Sequence, residues 1–317
     1  DELYVFSFGT YPGYTGNLAP KGMMSVFSSD ANNGTQTISW TLTEGLDTRC
    51  SDACTAANCC GVHIHVGMTC STANDIGGHY WNSTYYAVDP WLTVMYNTSS
   101  GHPATQTDLV VMTGTTGEDV YGRAMVIHDF TGARIACGII EEATTGAFAK
   151  YPTYTGSWMT TGGVKVTSSG TVQTLHWIFT AGLDPQCSGP CTDANCCGVH
   201  FHVGKTCGSH AEIGGHYWNS TMFSTDPWLY IQYNASAMPS IMMDVAVDTG
   251  YEVADVAGHS IVVHDFTGAR IGCALMSNLD MGTTTTTTLA NSQVSGAPML
   301  SSIAATTFLL ATKELAF

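Results

Sequence analysis

The chain has 317 residues, 44% hydrophobic and only 11% charged, with 9 Lys and Arg against 25 Asp and Glu for a net charge of −16. A balance this acidic argues against a polyanion-binding surface, so no nucleic-acid partner is expected. The apolar content excludes a disordered chain, and no apolar run reaches the roughly 18 residues that a bilayer-spanning helix needs.

Taken in chain order, the predicted elements are short strands. The stretch 28–39 (SSDANNGTQTIS) reads as a hairpin, with Asn33-Gly34 supplying the positive-φ turn. TISWTLTEGL at 37–46, GRAMVIHDF at 122–130, TLHWIFTAGL at 174–183 and HSIVVHDF at 259–266 are partly alternating runs of β-branched and aromatic residues bounded by Gly, Asn or Asp. Helix signals are scarce, and the reading is all-β, an antiparallel sandwich or barrel.

An internal repeat organises these runs. CCGVHIHVGMTC at 59–70 recurs as CCGVHFHVGKTC at 196–207, IGGHYWNST at 76–84 recurs at 213–221, DPWL at 89–92 recurs at 226–229, and HDFTGARI at 128–135 recurs at 264–271. YPGYTG at 11–16 and YPTYTG at 151–156 mark the two starts. The offset is 137 residues through Trp91 and Trp228 and 136 at His128 and His264, which places one net deletion between them. Domain 1 is therefore set at 1–143 and domain 2 at 144–277, each of ordinary single-domain size. Residues 278–317, with six consecutive threonines at 283–288, read as a disordered stalk whose mildly apolar end resembles a lipid-anchor signal, although Lys313 and Glu314 suit one poorly.

Each copy holds six cysteines: Cys50, Cys54, Cys59, Cys60, Cys70 and Cys137, then Cys187, Cys191, Cys196, Cys197, Cys207 and Cys273. An even, duplicated set reads as three disulfides per copy, and the spacing lacks the paired C-x2-C knuckles of thiolate zinc sites. Glycosylation sequons begin at Asn33, Asn82, Asn97, Asn219 and Asn234, with two pairs at matching repeat positions. Together these predict a secreted or cell-surface glycoprotein.

Eight of the 12 histidines fall in the repeated motifs: His63, His65, His79 and His128, then His200, His202, His216 and His264. On a strand, V-H-I-H-V points both imidazoles to one face and Val62, Ile64 and Val66 to the core. His79 follows two glycines, where the chain can bend toward that face, and His128 ends an apolar strand. A single histidine in such a place reads as a core residue, whereas H-x-H with two more per copy reads as a metal site. Copper is more natural there than calcium or magnesium, because imidazole suits copper and zinc. His102, His176, His210 and His259 have no histidine counterpart in the other copy and read as structural or surface residues.

The order G-V-H-x-H, Cys, G-G-H, V-[IV]-H and G-A-R-I-x-C in each copy resembles the copper–zinc superoxide dismutases. That resemblance implies two tandem Greek-key β-sandwich domains. It implies one copper per domain held by His63, His65, His79 and His128, and by His200, His202, His216 and His264. It further implies an active-site arginine at Arg134 and Arg270, disulfides Cys70–Cys137 and Cys207–Cys273, and His79 and His216 as the ligands released and protonated on reduction. The chain departs from the zinc-binding members. No histidine follows within YWNSTYYAVDPW or YWNSTMFSTDPW, and one zinc-ligand position survives only as Asp89 or Asp226. The long charged loop is also cut to DFTGAR. The copies are thus closest to copper-only members and their repeat-containing relatives, and zinc is not expected. Asp89 and Asp226 are candidates for orienting the far nitrogen of His79 and His216, or for capping the turn before Pro90 and Pro227. Two local disulfides of open connectivity are expected among Cys50, Cys54, Cys59 and Cys60 and their counterparts.

The expected function is extracellular dismutation of superoxide. The substrate is a small anion, the only membrane link is the anchor-like tail, and the oligomeric state is left open. A copper-binding or copper-buffering protein, and a structural surface glycoprotein, are the alternatives. The acidic surface predicts that turnover responds to salt weakly, or with a sign opposite to that of a positively steered enzyme.

Overall fold

A computed structural model describes residues 2–29 and 34–276. The tip of the 28–39 hairpin, including Asn33, and the 278–317 segment with its threonine run and anchor-like end lie outside the described residues.

The first repeat forms eight strands, β1 (Glu2–Val5), β2 (Gly9–Thr10), β3 (Lys21–Ser29), β4 (Thr35–Glu44), β5 (Val62–Ile64), β6 (Ala104–Val111), β7 (Ala124–His128) and β8 (Arg134–Ile139). They pair antiparallel in two sheets, ordered β1-β3-β4-β6 and β2-β8-β7-β5. In β4, Ile38, Trp40 and Leu42 alternate inward and are fully or almost fully buried. They share one core with Val62 and Ile64 of β5, Met125 and Ile127 of β7 and Ile135 of β8, so the two sheets close on each other as a sandwich. The β3–β4 hairpin pairs Ser29 with Thr35, and Gly34 takes φ +81°, the conformation for which the Asn-Gly signal was read.

The second repeat forms seven strands, β9 (Ala149–Lys150), β10 (Thr161–Ser169), β11 (Val172–Ala181), β12 (Val199–His202), β13 (Ser240–Asp248), β14 (Ser260–His264) and β15 (Arg270–Leu275). Its sheets run β10-β11-β13 and β12-β14-β15-β9, and Leu175, Trp177 and Phe179 fill the places of Ile38, Trp40 and Leu42. Four one-turn helices interrupt the loops: α1 (Ala73–Ile76), α2 (Gly117–Val120), α3 (His210–Ile213) and α4 (Val253–Val256). In both repeats a bulge falls early in the long hairpin. Gly22 and Gly162 take φ +145° and +125° there, and a Cβ would strike the carbonyl oxygens of Thr41 and Ile178.

The incomplete alternation of the long runs has a packing cause. Ile178 lies on the outer face of β11 yet is fully buried, in a cluster with Tyr4, Phe6, Met23 and Ala143. Thr41, on the outer face of β4, donates to the Pro239 carbonyl at 2.7 Å. The outer faces of the two long hairpins cover each other, so apolar residues are required on both sides of those strands. Replacing Ile178 by Ala removes buried atoms from this shared cluster and is expected to cost about 2–5 kcal/mol, read as a fall in calorimetric midpoint. An unchanged midpoint would mean that the repeats do not stabilise each other through it.

Candidate metal centres

His63 sits in β5 between the buried Val62 and Ile64. His65 lies just past the end of β5 and bridges to His79, which the chain reaches through Gly77 at φ +67°. His128 is the last residue of β7, and the register places Arg134, the first residue of β8, opposite it. Val66 does not face the core as the alternation predicted, because β5 pairing has ended. It is 44% exposed and packs over Gly77, and Val203 is 48% exposed in the same way.

Each imidazole is anchored through one nitrogen. His63 Nε2 donates to the Val94 carbonyl at 3.1 Å, His65 Nδ1 to Gly77 at 3.0 Å, and His128 Nδ1 to Gly132 at 2.9 Å, while His79 Nδ1 meets Asp89 Oδ2 at 2.6 Å. The remaining nitrogens of the first three, Nδ1 of His63 and Nε2 of His65 and His128, are buried and have no hydrogen-bond partner among the described residues. These are lone-pair donors rather than N–H groups, since the anchored nitrogen carries the proton. The four histidines offer ligand atoms that all lie within 4.8 Å of one another. Buried unpartnered acceptors converging on one point are the polar signature of a cation site.

The second repeat reproduces this arrangement. His200 Nε2 donates to Ile231, His202 Nδ1 to Gly214 and His264 Nδ1 to Gly268, at 3.2, 3.0 and 2.9 Å, and His216 Nδ1 meets Asp226 at 2.7 Å. His200 Nδ1 and Nε2 of His202 and His264 are the unpartnered atoms. His63 and His79 ring centroids are 4.3 Å apart, His200 and His216 4.4 Å. The chain therefore holds two four-imidazole groups, each able to hold one metal ion.

Neighbouring groups complete the geometry. Asp89 combines both roles read from the sequence, with Oδ2 holding His79 and Oδ1 accepting from Trp91 N at 2.9 Å to cap a 3-10 turn. Asp226 does the same for His216 and Trp228. Cys70 is joined to Cys137 and Cys207 to Cys273. The local pairs are Cys50–Cys60 with Cys54–Cys59, and Cys187–Cys197 with Cys191–Cys196, which takes these sulfurs out of contention as thiolate ligands. Six disulfides point to an extracellular or secreted protein. No helix among the described residues is long and apolar enough to cross a membrane.

Arg134 donates from Nη1 to the Tyr11 hydroxyl at 2.7 Å, and Arg270 to Tyr151 at 2.8 Å. Neither arginine enters an ion pair with a carboxylate among the described residues. His102 is exposed, while His176, His210 and His259 lie outside the two groups. Reading the sequence missed the anchors: the carbonyls of Gly77, Val94 and Gly132, and Asp129. The Asp129 carboxylate accepts from Thr131 N, Thr131 Oγ1 and Ala133 N and so shapes the DFTGA turn that presents Gly132 to His128. Only the recurrence of HDFTGARI hinted at that carboxylate, and a backbone carbonyl leaves no mark in a sequence.

The chain matches no protein-family model, and no curated protein matches it.

Burial holds the buried imidazoles neutral, pushing His63 down to about 2, His65 to about 3 and His128 to about 4, with lesser contributions from neighbouring charges. His200 is held well below its ordinary value, His202 at about 2 and His264 at about 4, for the same first cause. The unfolded chain takes up these protons near pH 6.5 and the folded chain does not until far lower pH. Stability of the metal-free protein is therefore full above about pH 7 and falls as pH drops below 6.5, by about 2 kcal/mol at pH 5 for each fully excluded imidazole. Guanidinium unfolding at pH 7.5 and pH 5 measures this, and equal midpoints would refute the neutral cage. A second expectation concerns Gly61 and Gly198, where a Cβ would overlap the rings of His63 and His200. Gly61→Ala together with Gly198→Ala should weaken metal binding while leaving the disulfides formed, as titration of the metal-free protein would read.

Proposed function

We propose that the chain is an extracellular copper-dependent superoxide dismutase with one copper site per repeat and no zinc site, each repeat having Greek-key connectivity. The observation that carries this reading is the pairing of a four-imidazole group with an arginine on the adjacent strand that has no carboxylate partner among the described residues. Three neutral, buried imidazoles and a fourth oriented by a carboxylate make a donor set that suits copper or zinc, and redox chemistry selects copper. Bound copper supplies the one-electron couple through which one superoxide is oxidised to dioxygen and a second is reduced to hydrogen peroxide.

The chain's own residues supply the rest. Arg134 and Arg270, opposite His128 and His264 in the strand register and without a carboxylate partner among the described residues, supply guanidinium donors that bind and orient a small anion. Asp89 fixes the His79 proton on Nδ1, leaving Nε2 as the atom that can take up a proton and pass it to a reduced product, with the carboxylate sharing the charge of the imidazolium. Asp226 serves His216 likewise. Asp89 thereby occupies the nitrogen that would face a second metal in the zinc-binding relatives, which supports a mononuclear site.

Metal content and superoxide turnover of the whole secreted chain test the reading. Two copper and no zinc per chain are expected, with turnover falling roughly tenfold or more in Arg134→Ala/Arg270→Ala as a charge-assisted contact is lost. Copper without turnover would leave a copper-binding protein instead, and stoichiometric zinc would overturn the mononuclear assignment. Asp89→Ala with Asp226→Ala should lower copper affinity roughly ten- to a hundredfold, and unchanged affinity and turnover would remove both carboxylates from the mechanism.

A further inference from the structure

The two motifs that open the repeats, YPGYTG and YPTYTG, carry no part of the chemistry described so far. Their first tyrosines are nevertheless buried, Tyr11 at 6% and Tyr151 at 1% exposure, and a buried phenol must find partners for its hydroxyl. Backbone pairing delivers them to the arginines: Tyr11 N donates to Ile135 O at 3.0 Å and Tyr151 N to Ile271 O at 2.9 Å, one residue beyond Arg134 and Arg270. Each ring is locked in a small cluster, Tyr11 with Ile76, Ala124, Val126 and Cys137, and Tyr151 with Ile213, Val262 and Cys273. The phenol is therefore a fixed point, attached to the disulfide-braced strand. The guanidinium beside it is on a long side chain that loses about 2 kcal/mol of rotamer entropy when held still.

We propose that Tyr11 and Tyr151 are positioning residues whose hydroxyls hold the guanidinium groups of Arg134 and Arg270 beside the four-histidine centres, and thereby set the affinity of each site for a small anion. This rests on the reading of those arginines as the anion-binding groups. A neutral phenol has a specific merit here. A carboxylate would hold the guanidinium more firmly but would cancel the charge an anion needs, whereas the phenol engages one N–H and leaves the charge and the other donors free.

The hydroxyl has a second partner in both repeats, from different groups at equivalent positions. Tyr11 donates to the Ala73 carbonyl at 3.4 Å, and the Tyr151 hydroxyl meets His210 Nδ1 at 3.0 Å. The second contact fixes the hydroxyl beside the arginine. His210, outside the metal groups, acquires a role through this contact, and the same placement survives a change of partner between the copies.

The test is Tyr11→Phe/Tyr151→Phe in the full, copper-loaded chain, with azide as the anion probe followed by its charge-transfer absorbance. Azide binding should weaken roughly threefold to thirtyfold, the range for one hydrogen bond to a charged group, while the copper resonance of the anion-free protein stays unchanged. In the metal-free protein, nitrogen-15 relaxation of the Arg134 and Arg270 side chains should show greater motion in the variant. Unchanged azide affinity together with unchanged arginine motion overturns the proposal. Arg134→Gln/Arg270→Gln separates the two levels. If it leaves azide binding intact, the anion-binding reading fails and takes the effect on anions with it. If it weakens azide binding while Tyr→Phe does not, the tyrosine proposal alone fails. Should the phenylalanine variant not fold, the wild type still decides, because freely rotating guanidinium groups of Arg134 and Arg270 would overturn the proposal.

Discussion

Each centre depends on an asymmetry within single imidazole rings. One nitrogen of every clustered histidine gives its proton to a fixed oxygen, and in three of the four the other nitrogen is shut away from water with no partner among the described residues. Burying an unpartnered acceptor costs about 1–3 kcal/mol, so the fold carries that strain at three points in each repeat. A cation at the convergence point satisfies all of them at once, which makes metal affinity and folding stability two expressions of the same cost.

In the first repeat the anchoring oxygens come from two connections, β5–β6 and the turn between β7 and β8, and in each repeat a buried carboxylate ties the turn after the last histidine to the cysteine-rich loop. Asp47 accepts from Arg49 and from Phe130 N, tying the cysteine-rich loop to the turn after His128, and Asp184 accepts from Gln186 N and Phe266 N in the same role. The Arg49 guanidinium holds the Asp47 carboxyl below the usual carboxylate range. Cys60 N then donates to Asp129 O at 2.8 Å, so the disulfide loop and the metal-site turn are bonded directly. The cysteine cluster is in this sense part of the scaffold of the site.

What the sequence disclosed was whatever is carried by side-chain identity at a repeated spacing. The H-x-H pairs, the histidines after Gly-Gly and at strand ends, and the strand content all follow from local pattern, and repetition doubled each signal. Asp89 was legible only as two competing readings, because sequence cannot say that one carboxylate serves both with separate oxygens. Val66 was misplaced since alternation holds only while a strand stays paired, and β5 ends two residues earlier. The anchoring carbonyls, the inter-repeat cover over Ile178 and the contact between Tyr11 and Arg134 join segments far apart in the chain, which local pattern does not encode.

The vicinal pair Cys59-Cys60 has a consequence for how the chain matures. Its two bridges run back to Cys54 and Cys50 across separations of 5 and 10 residues. The swapped pairing would close loops of almost the same lengths, differing by only about 0.1 kcal/mol in closure entropy. Chain statistics therefore do not choose between them; the finished architecture does, through the docking of Cys60 on the turn after His128. Oxidation ahead of folding would produce both isomers in each of two copies, and the folded core would then have to sort them by reshuffling. A chain oxidised in that order needs a compartment that can break sulfur bonds as well as make them.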